Sequence, residues 1–444
     1  MTGAEFAERL VGAGLDPVEG PAKTRLFDLT IAGLAAAGAG AASHAWWIPG
    51  RLELFGKHTD YAGGRTLVAA VPRGFAFVAT PRRDDTIIVV DAANGERVSL
   101  GHEGAPFSGW RHYVDVVGTR LLRNFPGAAG GVTIAFASDL PRASGMSSSS
   151  ALVVGVATAL TERWGLTAHA EWLRNIRDPC DLAAYLACVE NGSAFGTLAG
   201  DAGVGTHGGS EDHVAILHGR AGCFSAYAFA PVRHLQDVRV PGDWSVVIGS
   251  SGVSAEKTGE AQGAYNHLSE AARVLLRIWN EQEPPADSLA AALASSPLAP
   301  DRLTDLVAQS TVAGWSADSL HRRLAHFQAE DACVEAAVRA VDQADAAAIG
   351  EISRMSQQNA ERLLRTQVPQ TSALVEQARS CGAFAACSFG AGFGGSVWAL
   401  VERKGEDGFA TEWLARYRRR YSAPGAVSFV AAPGPPVIEI HSAR

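Results

Sequence analysis

Residues Val132–Gly165 read VTIAFASDLPRASGMSSSSALVVGVATALTERWG. Val132 to Ser138 is an apolar, β-prone run and predicts a strand; DLPRASGM is a loop of small residues and turn formers; Ser147 to Ser150 open a segment with helical apolar spacing. Strand, loop and helix follow one another. Backbone N–H groups at the mouth of such a helix have no intrahelical partner and its dipole favours anions, so a polyphosphate can settle there while a serine hydroxyl reaches its cation. An ordinary N-cap in a serine-rich turn explains the same residues. The segment is not a Walker A loop, which requires a lysine that is absent here.

Upstream, two helical patterns open the chain and the Ala-rich stretch Ile31 to Ala45 predicts packed helix. Trp46 to Phe55 and Thr66 to Thr80 then read as strands around the polar loop GKHTDYAGGR, residues 56–65. From about Pro231 the composition shifts to long Ala-rich helices: Glu256 to Asn280, Ala317 to Asp342, Asp345 to Leu364 and Thr371 to Cys381. Near the end AFAACSF, GAGFGG and SVWALV read as two strands joined by a glycine hinge. There is no internal repeat.

A chain of 444 residues, 47% hydrophobic, can bury one or two substantial cores. The 46 acidic and 38 basic residues give a net charge of -8 without long like-charge runs, which disfavours a nucleic-acid track. No uncharged apolar run reaches the ~18 residues of a membrane span, and the N-terminus lacks the basic start and apolar core of an export signal. Six scattered cysteines with no CxxC pair offer no zinc or redox signature. A cytoplasmic protein is expected.

Three ordered motifs carry a resemblance. Pro49 to Gly64 (PGRLELFGKHTDYAGG), the loop from Pro141 to Leu152 and Gly390 to Gly395 together resemble the galactokinase branch of the GHMP kinases, with weaker echoes at Trp110, Cys188, Gly209 and Asn266 in the right order. The resemblance implies an α+β fold of two domains, 1–236 and 237–444, with the active site in the cleft between them. It implies ATP and Mg²⁺ as cofactors and a sugar as acceptor, in a monomer or weak homo-oligomer. By position, Asp212 corresponds to the catalytic aspartate and Arg51 to the arginine beside it. Gly145, Ser147, Ser148 and Ser149 fall in the nucleotide loop, Ser149 and Glu190 on the magnesium positions, and Trp110 on an aromatic that lies against adenine. His58, Asp60 and Tyr265 match sugar-binding positions. These residue types suit the chemistry, because phosphoryl transfer asks for positioning, charge neutralisation and a carboxylate for the attacking hydroxyl.

The match breaks in places. Lys57 stands where the family has a glutamate directed at the sugar, so it is expected either to bind an anionic substituent or to turn to solvent. Glu190 and Asp212 lie 22 positions apart, about ten more than the family pattern, an insertion that falls in FGTLAGDAGVGTHGG. Glu211 competes with Asp212 as the base, and Cys387, Ser388 and Phe389 depart from the family before GAGFGG. The reading is an ATP-dependent sugar-1-kinase acting on galactose or a related hexose. Its alternatives are a galacturonate-type kinase and a non-catalytic homologue that binds sugar and ATP; HTDYAGG disfavours a mevalonate or homoserine kinase.

Overall fold

Twelve strands form two sheets in a computed structural model that describes residues 2–100, 107–141, 144–253 and 259–442, with only the backbone described for 259–261. Arg142 and Ala143 of the serine-rich loop, and residues 256–258 at the start of an expected helix, lie outside the described residues. The strands are β1 His44–Phe55, β2 Arg65–Pro81, β3 Ile87–Asp91, β4 Arg97–Leu100, β5 Val132–Ser138, β6 Cys223–Ala228, β7 Arg233–Arg239, β8 Trp244–Ser250, β9 Ala385–Phe389, β10 Ser396–Glu402, β11 Val427–Val430 and β12 Ile438–Ser442.

The first sheet runs β12-β1-β2-β5-β3-β4, with β6 on the other half of β2 and β7 beyond β6. Only the β3–β5 pair is parallel. β2 reaches two partners because it is long: Phe75–Pro81 pairs with β5, and Arg65–Val68 with β6. Side chains alternate across a strand. Trp46, Ile48 and Leu52 therefore face the helix Ser148–Trp164, while Ala45 and Trp47 pack with Phe6, Phe27 and Leu34 of the two opening helices.

The second sheet, β11-β8-β10-β9, is antiparallel. Trp398 and Leu400 of β10 join the large core, and Val397 and Ala399 pack against Trp413 and Tyr417 on its opposite face. Ala317–Asp342 is helical over the predicted span, started by the Ser316 hydroxyl accepting from Ser319 N–H.

The expected boundary at 236/237 falls within β7, and β12 covers the edge of β1. Two expected helices end differently. The helix expected over 31–45 ends at Ala36, before Gly38 adopts a left-handed φ of +76°. The helix expected to Leu364 stops at Asn359 and continues as a π turn, Ala360–Leu364. Among the described residues no helix is long and apolar enough to cross a membrane.

Candidate active site

β1 shifts register between Pro49 and Arg51. A bulge of this kind re-aims a side chain, and here the phosphate loop crosses at the same place: Arg51 N–H donates to Met146 O at 3.2 Å and the guanidinium to Gly145 O at 2.5 Å. The guanidinium Nε also donates to Asp212 Oδ1 at 2.6 Å, with Glu211 Oε1 at 3.6 Å. Burial works against the arginine's charge, but Asp212, Glu211 and Glu53 outweigh it and raise its pKa. Arg51 is a permanent cation tying a strand, a loop and the helix Glu211–His218.

Asp212 stands in the first turn of that short helix, where the dipole favours a carboxylate. The Ser150 hydroxyl lies 3.2 Å from its Oδ2 and 2.8 Å from Glu190 Oε2, so Glu190 is the nearer acceptor. Glu190 comes from the helix Pro179–Asn191, and His213 Nε2 approaches it at 3.3 Å. Of the serine run, Ser150 is the one hydrogen-bonded to Glu190, while Ser149, expected beside Glu190 at a magnesium position, stands one residue earlier in the same helical turn. Successive helical residues turn by about 100°, so one serine of a run faces a given carboxylate.

Across from Asp212 lie the loop residues after β1. His58 Nε2 donates to Ala391 O at 3.1 Å, and its Nδ1 lies 2.9 Å from Tyr61 Oη. Asp60 Oδ2 accepts the Glu211 N–H at 3.1 Å, and Gly209 makes room for it, since a Cβ there would lie 2.3 Å from that oxygen. Tyr265 stacks obliquely on His58 with ring centres 5.3 Å apart; burial first, then Asp60, pushes its hydroxyl well up in pKa.

Arg51, His58, Asp60, Glu190, Asp212 and Tyr265 all line one cavity, with about 500 Å³ of empty space. The strand–loop–helix prediction for 132–165 also stands: Ser147 is a left-handed N-cap (φ +55°) whose buried hydroxyl has no partner among the described residues, and Ser148 and Ser149 follow in the first turn. A partnerless hydroxyl beside free helix N–H groups is a fit for phosphate oxygens. The GAGFGG loop comes close enough that a Cβ on Gly390 would lie 2.9 Å from Gly145 O. The oxygen donors of Glu190, Asp212 and the serines are of the type Mg²⁺ takes.

Two expected residues are elsewhere. Lys57 does not line the cavity and does not reach solvent: it is 1% exposed, donating to Ser356 Oγ at 2.6 Å and paired with Glu330 Oε1 at 3.3 Å. The structure does not bring it to the cavity wall with His58, Asp60 and Tyr265. Trp110 sits half-buried at the start of its helix, donating to Glu96 at 3.1 Å and packed edge-on to Phe136, outside the cavity.

Known sequences give the arrangement its kin. The galactokinase galactose-binding signature matches residues 38–81, the GHMP kinases N-terminal domain residues 112–220 and the GHMP kinases C-terminal domain residues 337–418. The chain thus carries both GHMP kinase domain matches and the galactose-binding signature in order, and is similar to galactokinases. It is 28% identical to a galactokinase of Streptomyces coelicolor over 86% of this chain and 92% of that one. A galactokinase of Roseiflexus is 26% identical over 83% and 86%. The fold matches the crystal structure of Lactococcus lactis galactokinase complexed with galactose, with a TM-score of 0.74 and 21% identity, covering 93% and 98%. These matches indicate a sugar phosphotransferase.

Within this galactokinase-like site three lining groups had no expected role although they lie within the motifs: Glu53, His213 and Ser150. Glu53 had a signal, because residues i and i+2 of a strand share a face and Arg51 is two positions before it. The Glu53 and Glu211 carboxyls are within hydrogen-bonding reach; burial, foremost, pushes Glu53 up to about 7 and Glu211 well above the usual range. Oε1 of each is buried without a donor, and one shared proton satisfies such a pair.

Proposed function

We propose that the chain transfers the terminal phosphoryl group of ATP to the anomeric hydroxyl of galactose or a closely related hexose. The observation that carries this reading is the Arg51–Asp212 pair at 2.6 Å, on the wall of a cavity that also holds His58, Asp60 and Tyr265 and adjoins the serine-capped helix mouth.

His58, Asp60 and Tyr265 bind and orient the sugar through its hydroxyls, and Asp212 takes the proton from the hydroxyl that attacks. Arg51 keeps Asp212 ionised and offsets negative charge growing on the transferring group. The N–H groups of Ser147 to Ser149 hold phosphate oxygens. Glu190, Asp212 and Ser150 would hold Mg²⁺, which supplies charge neutralisation when bound.

The cavity wall favours a neutral acceptor over a uronate. Five carboxyl groups, Glu53, Asp60, Glu190, Glu211 and Asp212, line it against one arginine, and the ammonium of Lys57 is engaged elsewhere. A substrate carboxylate would face like charge.

The test is ATP consumption with Mg²⁺ against a panel of neutral hexoses, amino sugars and uronic acids, for wild type and Asp212→Asn. Turnover of galactose or a close relative by wild type alone supports the reading. A preference for uronates, or unchanged turnover by the Asn variant, overturns it.

A further inference from the structure

We infer that Lys57 is a positioning residue: with Glu330 it latches the loop bearing His58 and Asp60 onto the helix Ala317–Asp342, and it makes no contact with the acceptor. This rests on the reading of His58 and Asp60 as sugar-binding groups.

Glu330 is fully buried, and its Oε1 collects Gly56 N–H at 3.2 Å, Lys57 N–H at 3.4 Å, the Lys57 ammonium at 3.3 Å and Ser356 O–H at 2.8 Å. Its Oε2 is buried with no partner among the described residues. Removing a close cation from a carboxyl group buried in this way is costly, and Lys57 is paired with it. The dependence is mutual. Burial opposes the lysine's charge, while Cys387, Glu330 and Glu53 hold its pKa above the ordinary value.

The next residue explains why a latch matters. His58 has a φ of +58°, a left-handed conformation that a non-glycine residue keeps only where its surroundings hold it. Arg323 supplies part of the hold, donating to His58 O at 2.6 Å and to Tyr61 Oη at 3.2 Å. Arg323 and Glu330 are seven positions apart, two turns along one face of the helix. Together they fix the backbone of residues 56–58, while the imidazole is held separately by Ala391 O. Lys57 Nζ also reaches Ser356, of the helix Ala346–Asn359, so the loop is tied to a second helix.

A direct substrate role would require the ammonium to leave Glu330, stranding a buried carboxylate under the loop that must stay ordered. The geometry assigns it to the loop instead.

The experiment compares wild type, Lys57→Met, Glu330→Gln and the double variant by steady-state kinetics with acceptor and nucleotide varied separately, and by thermal unfolding of the same samples. Lys57→Met is expected to raise the acceptor KM tenfold or more while the nucleotide KM stays within twofold. Adding Glu330→Gln is expected to recover most of that loss, because an amide needs no counter-ion. The ratio of kcat/KM for a neutral hexose over its uronate stays within threefold in all four proteins. A tenfold change in that ratio, or single effects that simply multiply in the double variant, overturns the inference. Should Lys57→Met fail to fold, Glu330→Gln alone must show the same split between acceptor and nucleotide KM. Should wild type turn over none of the acceptors, the functional reading fails by itself, and the latch is decided by melting temperature: non-additive shifts support it, additive shifts overturn it.

Discussion

Asp212 accepts hydrogen bonds from the Arg51 guanidinium and the Ser150 hydroxyl. Asp212→Asn keeps the shape and removes the base, so kcat is expected to fall by about 10²- to 10⁴-fold with the nucleotide KM little changed. Initial rates at saturating ATP decide it. The Glu53–Glu211 pair makes a separate prediction in stability. Burial raises Glu53 to about 7 from an ordinary 4.5, so the folded protein keeps a proton that the unfolded chain releases. That contribution is fully present below about pH 4.5 and disappears as pH rises through about 7. Melting temperature across pH 4.5 to 8 should therefore decline more steeply for wild type than for Glu53→Gln; identical slopes would refute the shared proton. At this scale Arg51 and Asp212 were legible because they sit in ordered motifs. Lys57 was not, since its partner is 273 positions away and no local pattern reports it. A run of four serines likewise states no rotation, so Ser150 could not be told from Ser149.

The glycine hinge and the phosphate loop are two elements that meet at backbone distance. Gly390 has a φ of +78°, and a Cβ there would lie 2.9 Å from Gly145 O, whereas Gly38 at +76° has nothing within 4 Å. Alanine at either position bears the left-handed strain, about 1–2 kcal/mol, but only Gly390→Ala also pushes on the loop. Gly38→Ala should lower the melting temperature with nucleotide KM unchanged; Gly390→Ala should raise nucleotide KM severalfold as well. Equal kinetics for the two would show that the contact is unimportant. Long elements with a clear period were read well, as Val132–Ser138 and Ala317–Asp342 show. The π turn at Ala360–Leu364 was not, because it ends where Arg365 turns left-handed and Thr366 O accepts Phe393 N–H from the glycine hinge, a tertiary demand.

Across the whole molecule, two sheets share one large core that includes Trp46 and Ile134 of the first and Ile248 and Trp398 of the second. The chain's last strand then crosses back to pair with β1, the strand that carries Arg51. This return was invisible in the sequence, where five residues of ordinary polarity follow a proline-rich turn and nothing names their partner. It has a consequence for how the molecule unfolds. Ile440, 2% exposed, packs with Phe6, Phe27 and Trp47, so both ends of the chain close the outer face of the first sheet. Removing its side chain to alanine leaves a cavity worth about 2–5 kcal/mol. Because the core is continuous, that loss should appear as one transition moved to lower temperature in calorimetry, with catalysis by the remaining folded protein unimpaired. Two resolved transitions in the Ile440→Ala variant would mean that the sheets unfold independently, and that β12 braces only the half of the molecule it touches.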